Sequence, residues 1–429
     1  MSYEVGNFGG FPGEVAGQPG TSTHVFWLSG MSCDGCSVSM MGANAPRMEE
    51  LVLGLVPRIP HVVLHHPMLA EECGAAFMQD FRAAADGALN APYIVVVEGS
   101  IPDDQALSTG SFAAMGAGTD WPQSKGNSIA PGQPVKATDW MWALAPGAEA
   151  CIAIGTCATW GGIPAAAGNI TGSMGLTDYL GESYRSRRGL PVVNVPGCAP
   201  QGDNFTETLK ELLLYLAGHR DSPELDELGR PLWLFGETVH RHCPKAGYYE
   251  EGVFAHEPGD NQCLVEIGCW GPVVQCNIVE RGAVSHIGGC MVAGGACIGC
   301  TMPGFPDKYS PFYKAPPGST ISGTTSRITG GAIRRLRRMS MNSGNNTPLW
   351  DNAHEVASGW GRAADIKNPV SKINTFFYKK LQYSGSVNHA KRNKHQPLPL
   401  SRDILTQKGI DHTASVPVLQ EHLVSREEL

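Results

Sequence analysis

Charge is scarce in this chain. Asp, Glu, Lys and Arg make up 17 % of its 429 residues, against roughly 25 % in average proteins. A surface so poor in charge suits burial under a partner. Long apolar runs are missing too: residues 93–97 and 212–217 fall far short of the roughly 20 residues that span a bilayer. Residues 1–23 hold neither a twin arginine nor an apolar stretch, so no export signal is expected. The 13 cysteines are well below the roughly 8–10 % of a disulfide scaffold. Gly (53) and Pro (31) are enriched, yet together stay under the roughly 25–30 % that marks disorder. The expectation is a soluble, cytoplasmic protein whose thiols stay reduced. Any membrane association would come through a partner. Thirteen reduced cysteines then hold metal, do redox chemistry or pack.

The length predicts about two or three domains. Residues 1–22 are Gly-rich and read as an extended N-terminal arm. Across 23–219 short β-rich runs (23–29, 61–65, 92–97, 150–154, 191–195) alternate with helical stretches, including 71–88. After Asp203, read as an N-cap, Phe205, Leu209, Leu212, Leu213 and Leu216 share one helical face. Such alternation predicts an α/β fold with a doubly wound parallel sheet. The Gly/Ser/Pro-rich residues 103–138 read as a surface insertion. From about 220 to 308 periodicity fades, and 240–300 carries seven cysteines among many Gly and Pro. That segment is not expected to build its own apolar core, so a bound group must hold it. The extension 309–429 is basic. Over 331–429 it has 15 Lys+Arg against 8 Asp+Glu and no cysteine. Its Arg-Arg-Leu-Arg-Arg run at 334–338 reads as a solvated helix face or a contact with an acidic partner surface. No nucleic-acid motif accompanies it.

In an open parallel sheet, sites form beyond the carboxyl ends of the strands. Strand 23–29 runs into Cys33-Asp-Gly-Cys36, strand 150–154 into Gly-Thr-Cys157, and strand 191–195 into Pro-Gly-Cys198. Strand 92–97 ends in Glu98 at the same rim. Four thiols thus leave one sheet edge, which predicts a four-thiolate site. Two further sets follow: His240, Cys243, Cys263 and Cys269, then Cys276, Cys290, Cys297 and Cys300. Cys73 and Cys151 are left over and read as buried core thiols. Iron–sulfur clusters and structural zinc both use such ligands. Zinc favours compact Cys-x-x-Cys pairs and leaves the strand-end thiols unexplained, so the arrangement favours iron–sulfur. A histidine in place of one thiolate tends to raise a cluster's potential.

These motifs, in this order over residues 23–308, resemble the small subunit of nickel–iron hydrogenases. The resemblance implies a flavodoxin-like domain with the proximal cluster on Cys33, Cys36, Cys157 and Cys198. It implies a second domain held by a medial cluster on Cys276, Cys290, Cys297 and Cys300 and a distal cluster on His240, Cys243, Cys263 and Cys269. Many relatives have proline where Cys290 stands, with a three-iron medial cluster. Cys290 supplies a fourth thiol here, so all three clusters are expected to be 4Fe-4S. The long tail resembles the actinobacterial-type, high-affinity uptake branch, where an aspartate can ligate the proximal cluster. That makes Asp34 an alternative proximal ligand, with Cys33 the spare thiol. The implied function is relay of electrons from hydrogen oxidation to an acceptor, a quinone or a redox protein. The implied partners are a large subunit bearing the nickel–iron centre and further copies of the heterodimer. No catalytic residue is expected on this chain, since the Asp-Pro-Cys motif of large subunits does not occur.

Glu98 has two readings, a proton-path residue or a carboxylate that bonds the amides of the cysteine loop, with the second favoured. Trp160 and Trp270 are expected to shield clusters from water, and His65 and His66 to pack rather than ligate. Two other functions compete with the hydrogenase reading. An iron–sulfur subunit of another respiratory complex needs only the sheet-edge site, so the sets within 240–300 argue against it. A zinc-stabilised polyanion-binding protein predicts a colourless, salt-sensitive binder.

Overall fold

A computed structural model of the chain describes residues 22–104, 110–125, 129–307, 309–310 and 312–313. The N-terminal arm and nearly all of the basic extension, with its arginine run, lie outside the described residues. In chain order the elements are β1 (Ser22–Ser29), α1 (Gly35–Met41), α2 (Met48–Val52), β2 (His61–His65), α3 (Gly74–Asp86), β3 (Tyr93–Glu98), β4 (Ala114–Ala117) and β5 (Pro134–Lys136). Then come α4 (Ala137–Leu144), β6 (Ala150–Ile154), α5 (Gly155–Trp160), α6 (Leu176–Leu180), β7 (Val193–Val195) and α7 (Gly202–Leu216). Short helices follow: α8 (Leu232–Phe235), α9 (Ala246–Glu251) and α10 (Ile278–Arg281), with single 3₁₀ turns between them.

Five strands form one sheet in the order β2-β1-β3-β6-β7, and every pairing is parallel. This is the flavodoxin-like order, with the strand order reversing beside β1 and β3. Strands β3 and β6 are buried along their whole length, as expected for a parallel sheet covered on both faces. One face packs Phe26, Phe81, Val95 and Trp140 under α3 and α4. The other packs Val25, Trp27, Phe205 and Leu209 under α1 and α7. The stripe on α7 behaves as its spacing dictates: Phe205, Leu209, Leu212 and Leu213 are fully buried, and Leu216 packs partly buried at its end.

Three expectations are corrected here. Asp203 does not cap α7, whose N-cap is Gln201. Its carboxylate instead accepts the backbone N–H groups of Asn44 (2.7 Å) and Ala45 (2.8 Å), fastening the loop after α1. Residues 103–138 are more than a surface insertion. Their β4–β5 ribbon is antiparallel, and Trp121 and Val135 enter the core under α4. Cys73 is exposed, because it precedes the first turn of α3 rather than lying on its packed face. Cys151, by contrast, is fully buried on β6 with its sulfur 3.1 Å from the Tyr184 hydroxyl.

The second lobe does build a small core, contrary to expectation. Val239, Leu264, Trp270, Val274, Met302 and Phe305 pack together with Cys269 and Cys297. The apolar residues are thus wrapped around the thiols, so core and metal sites are one structure. The lobe is tied to the first by polar contacts. Asn204 on α7 and Asn277 exchange paired amide bonds of 2.9 and 2.8 Å. Arg281 pairs with Glu207, and the Trp160 indole donates to the Thr301 carbonyl at 3.2 Å.

Candidate metal centres

The sheet-edge thiols converge as their strand ends predict. Cys36 opens α1 after β1, Cys157 lies on α5 after β6, and Cys198 follows β7. Cys36 is buried, while Cys33 and Cys198 are exposed, so the site opens to the outside of the domain. Burial, then the charge of Glu98 and the thiols of Cys157, Cys33 and Cys198, push the Cys36 pKa far up. Cys157 is raised to about 11, by burial and then by Cys198. Four thiolates so gathered repel one another and are stable only against a cation.

Glycine makes room for them. Gly155 has φ +83°, and a Cβ there would meet the Cys36 sulfur at 2.4 Å. A Cβ on Gly162 would lie 2.9 Å from the Cys157 sulfur. The space beside each thiol is kept free of protein side chain.

Glu98 lies behind this site, 1 % exposed. Its carboxylate accepts the backbone N–H groups of Cys36 (3.1 Å) and Ser37 (3.3 Å), the Trp27 indole N–H (3.0 Å) and the Ser37 hydroxyl. These contacts hold the cysteine loop, as the favoured reading of Glu98 expects. Ser37 also meets His66 Nε2 at 2.9 Å, and the Met68 N–H points to His66 Nδ1 at 3.2 Å. That pattern assigns a neutral ring with its proton on Nε2, and burial lowers the His66 pKa in agreement. Trp27, Ser37 and His66 carry no motif, so spacing alone could not have found them. Asp34 sits at φ +58° as the residue before α1, half-buried, between Cys33 and Gly35.

In the second lobe, a small pocket is lined by His240, Cys243, Cys263, Cys269 and Met291. All four predicted distal ligands therefore face one space. The His240 ring stands edge-on to Tyr249, with centroids 4.5 Å apart. The other set is knit by mutual charge. Burial and then Cys276 raise Cys300 to about 12, with Cys290 contributing further. Burial raises Cys276 to about 11, with Cys290 again contributing. Cys290 itself is exposed.

The Gly271 N–H bonds the Cys269 sulfur at 3.4 Å, and the nearby backbone N–H groups of Lys245, Val265, Ile278 and Gly299 work against the burial that raises Cys243, Cys263, Cys276 and Cys297. One further amide joins neighbouring sets: the Cys297 N–H reaches the Cys269 sulfur at 3.3 Å. Gln201 adds a contact to the Cys276 sulfur at 3.8 Å. Sequence reasoning missed Gln201 and Thr156, whose hydroxyl donates to the Cys300 carbonyl and accepts the Gly197 N–H at 3.0 Å.

The spacing separates the two metal chemistries. Thiolates on one tetrahedral zinc, with Zn–S near 2.3 Å, lie about 3.8 Å apart. Among the described residues, no three of these thiols bring their sulfurs within 4.8 Å of one another. That spread is wider than one zinc ion gathers and suits a multi-iron core better. Trp160 and Trp270 are both buried, the latter edge-on to Tyr309 with centroids 4.8 Å apart, as a water-excluding role requires.

Comparison with known proteins agrees. Residues 235–313 match the family described as the C-terminal part of the NiFe/NiFeSe hydrogenase small subunit, and residues 33–212 match "NADH ubiquinone oxidoreductase, 20 Kd subunit". The second match fits the shared sheet-edge site. The chain is 34 % identical over 293 residues to the periplasmic [NiFeSe] hydrogenase small subunit of Desulfomicrobium baculatum, covering 68 % of this chain and 87 % of that one. It is 29 % identical over 345 residues to the hydrogenase-2 small chain of Escherichia coli K12, covering 74 % and 81 %. Among solved structures, the actinobacterial-type NiFe-hydrogenase of Ralstonia eutropha H16 aligns with a TM-score of 0.68 at 49 % identity, covering 77 % of this chain and 93 % of that one. With relatives matched across both lobes, the chain belongs to the small subunits of nickel–iron hydrogenases, the electron-transfer subunits of those enzymes.

Proposed function

We propose that this chain carries electrons from a nickel–iron centre on its large subunit, through three 4Fe-4S clusters, to an acceptor at the His240 end. The ligand sets are Cys33, Cys36, Cys157 and Cys198 (proximal), Cys276, Cys290, Cys297 and Cys300 (medial), and His240, Cys243, Cys263 and Cys269 (distal). The observation that carries this reading is the contact between neighbouring sets: the Thr156 hydroxyl, next to Cys157, donates to the Cys300 carbonyl, and the Cys297 N–H bonds the Cys269 sulfur at 3.3 Å. The chemistry such clusters supply is one-electron transfer, and amide–sulfur bonds raise their potentials. The protein's own part is to hold twelve donors, exclude water with Trp160 and Trp270, and fix the cysteine loop through Glu98. Exposed Val38 on α1 (73 %) and Ile163 after α5 (56 %) offer apolar surface for the large subunit beside the opening of the proximal site. A quinone is the proposed acceptor; a redox protein is the alternative. Asp34, beside Cys33 in the same loop, is the proposed alternative proximal ligand.

The test is the iron, sulfide and nickel content of the anaerobically purified complex. About twelve irons and twelve sulfides per small subunit are expected, with nickel confined to the copurifying partner. Stoichiometric zinc without sulfide would overturn the reading. The medial assignment has its own check. In Cys290→Pro the medial site should hold three irons, adding a paramagnetic signal to the oxidised protein that the parent lacks. Unchanged spectra with all twelve irons would remove Cys290 from the ligand set.

A further inference from the structure

A second kind of metal site lies far from the thiols in the chain. His24 on β1 and His65 at the end of β2 project to one face of the sheet, where α3 brings Asp80. His24 Nδ1 is 2.8 Å from His65 Nε2. Asp80 Oδ2 is 3.8 Å from the first nitrogen and 3.5 Å from the second. Among the described residues this is the one trio of potential ligands whose donor atoms all lie within 4.8 Å of one another. It therefore meets the single-ion spacing that the thiol sets fail.

We propose that His24, His65 and Asp80 form a binding site for a divalent transition-metal ion, zinc foremost, separate from the iron–sulfur sites. Three atoms with these separations have a common point about 2.0 Å from each, the usual length of zinc–imidazole and zinc–carboxylate bonds. The rings are already held. His65 stacks on Phe26, with centroids 4.7 Å apart and planes at 17°, and His24 stacks on His65 at 5.0 Å and 16°. The two side chains are 13 % and 11 % exposed, while Asp80 is 37 % exposed, so an ion enters from the Asp80 side. Solvent supplies the fourth position there, and the Glu72 charge also acts on His65. Both imidazoles are kept neutral by burial, His65 down to about 4, and a neutral imidazole is the ligating form. One proton lies between the two nitrogens. When the metal binds, the ring that carried it keeps it on its other nitrogen, so no charge is left over. Bound there, the ion would join β1, β2 and α3, three elements at the outer end of the sheet.

The same nitrogen and oxygen donors also bind copper and nickel, and the Irving–Williams order puts copper above zinc. The probe is zinc alone, which does not oxidise the clusters. The intact complex would be equilibrated with micromolar zinc sulfate, desalted, and analysed for zinc and iron beside Asp80→Asn and His24→Gln. Asp80→Asn changes a half-exposed group, so its fold is safe, and an unchanged iron count verifies this for both variants. The expected result is about one zinc per small subunit in the parent, falling at least tenfold in both variants. Parent protein that retains no zinc, or variants that retain as much as the parent, would overturn the site and leave a hydrogen-bonded His–His–Asp cluster.

Discussion

Replacing Gly155 with valine is expected to leave the purified complex about four irons short of twelve per small subunit, the content of one four-iron cluster. The Cβ would fall 2.4 Å from the Cys36 sulfur, well inside van der Waals contact. Cys36 cannot step aside, because its backbone N–H is held by Glu98 and its side chain is buried. The thiol or the backbone of α5, which carries Cys157, must move instead. Gly155 also sits at φ +83°, where a side chain costs about 1–2 kcal/mol whatever the space. Gly168→Val separates these two effects. Gly168 has φ +93° and nothing within 4 Å of its would-be Cβ, so it carries the strain without the collision. It should keep all its iron, whereas Gly155→Val should lose the proximal share and copurify poorly with the nickel-bearing partner. Equal iron in the two variants would show that the close approach at Gly155 does not shape the site.

Glu98→Ala is expected to cost about 3 kcal/mol or more of stability, because it strands buried donors whose unmet bonds cost about 1–3 kcal/mol each. The Cys36 and Ser37 amides and the Trp27 indole have no other acceptor in these contacts. The Ser37 hydroxyl still accepts from His66 Nε2 but loses the acceptor of its own proton. Loss of the carboxylate also frees the backbone that aims Cys36, so iron should fall together with the apparent melting temperature. Glu98→Gln keeps one carbonyl oxygen for the two amides and should lie between parent and alanine variant in both readings. The glutamine variant also separates structure from proton transfer, since it holds the loop but cannot carry a proton. Full iron, near-parental stability and a tenfold or greater loss of hydrogen oxidation in Glu98→Gln would turn the assignment from loop anchor to proton carrier.

Much of the site is legible in the chain because metal ligation is a property of side-chain type and spacing. A cysteine after a β-rich run is fixed near a sheet edge as soon as the sheet is parallel, and the run 150–154 matches its strand to the residue. Where ends depend on capping and local turns, expectation and structure differ by a few residues. The strand expected over 191–195 is Val193–Val195, and the helix expected over 71–88 is Gly74–Asp86. Cys73 and Asp203 depart from expectation for a related reason. Periodicity identifies the buried face of a helix, but not what a residue at its start will touch.

The sequence by itself determined the alternating α/β order and the buried stripe of α7, since each rests on residue type at a fixed local interval, and it supplied the cysteines and histidine from which the donor sets are proposed. Only the tertiary structure decided what lies across the chain. It brought Glu98 to the Cys36 loop, 62 residues away in sequence, and the Thr156 hydroxyl to the Cys300 carbonyl. Among the described residues it drew His24, His65 and Asp80 close enough for a single ion, and set the thiols farther apart. Distances between donors from separate elements are set by how the sheet twists and the helices pack on it, and no local pattern of residues encodes those distances.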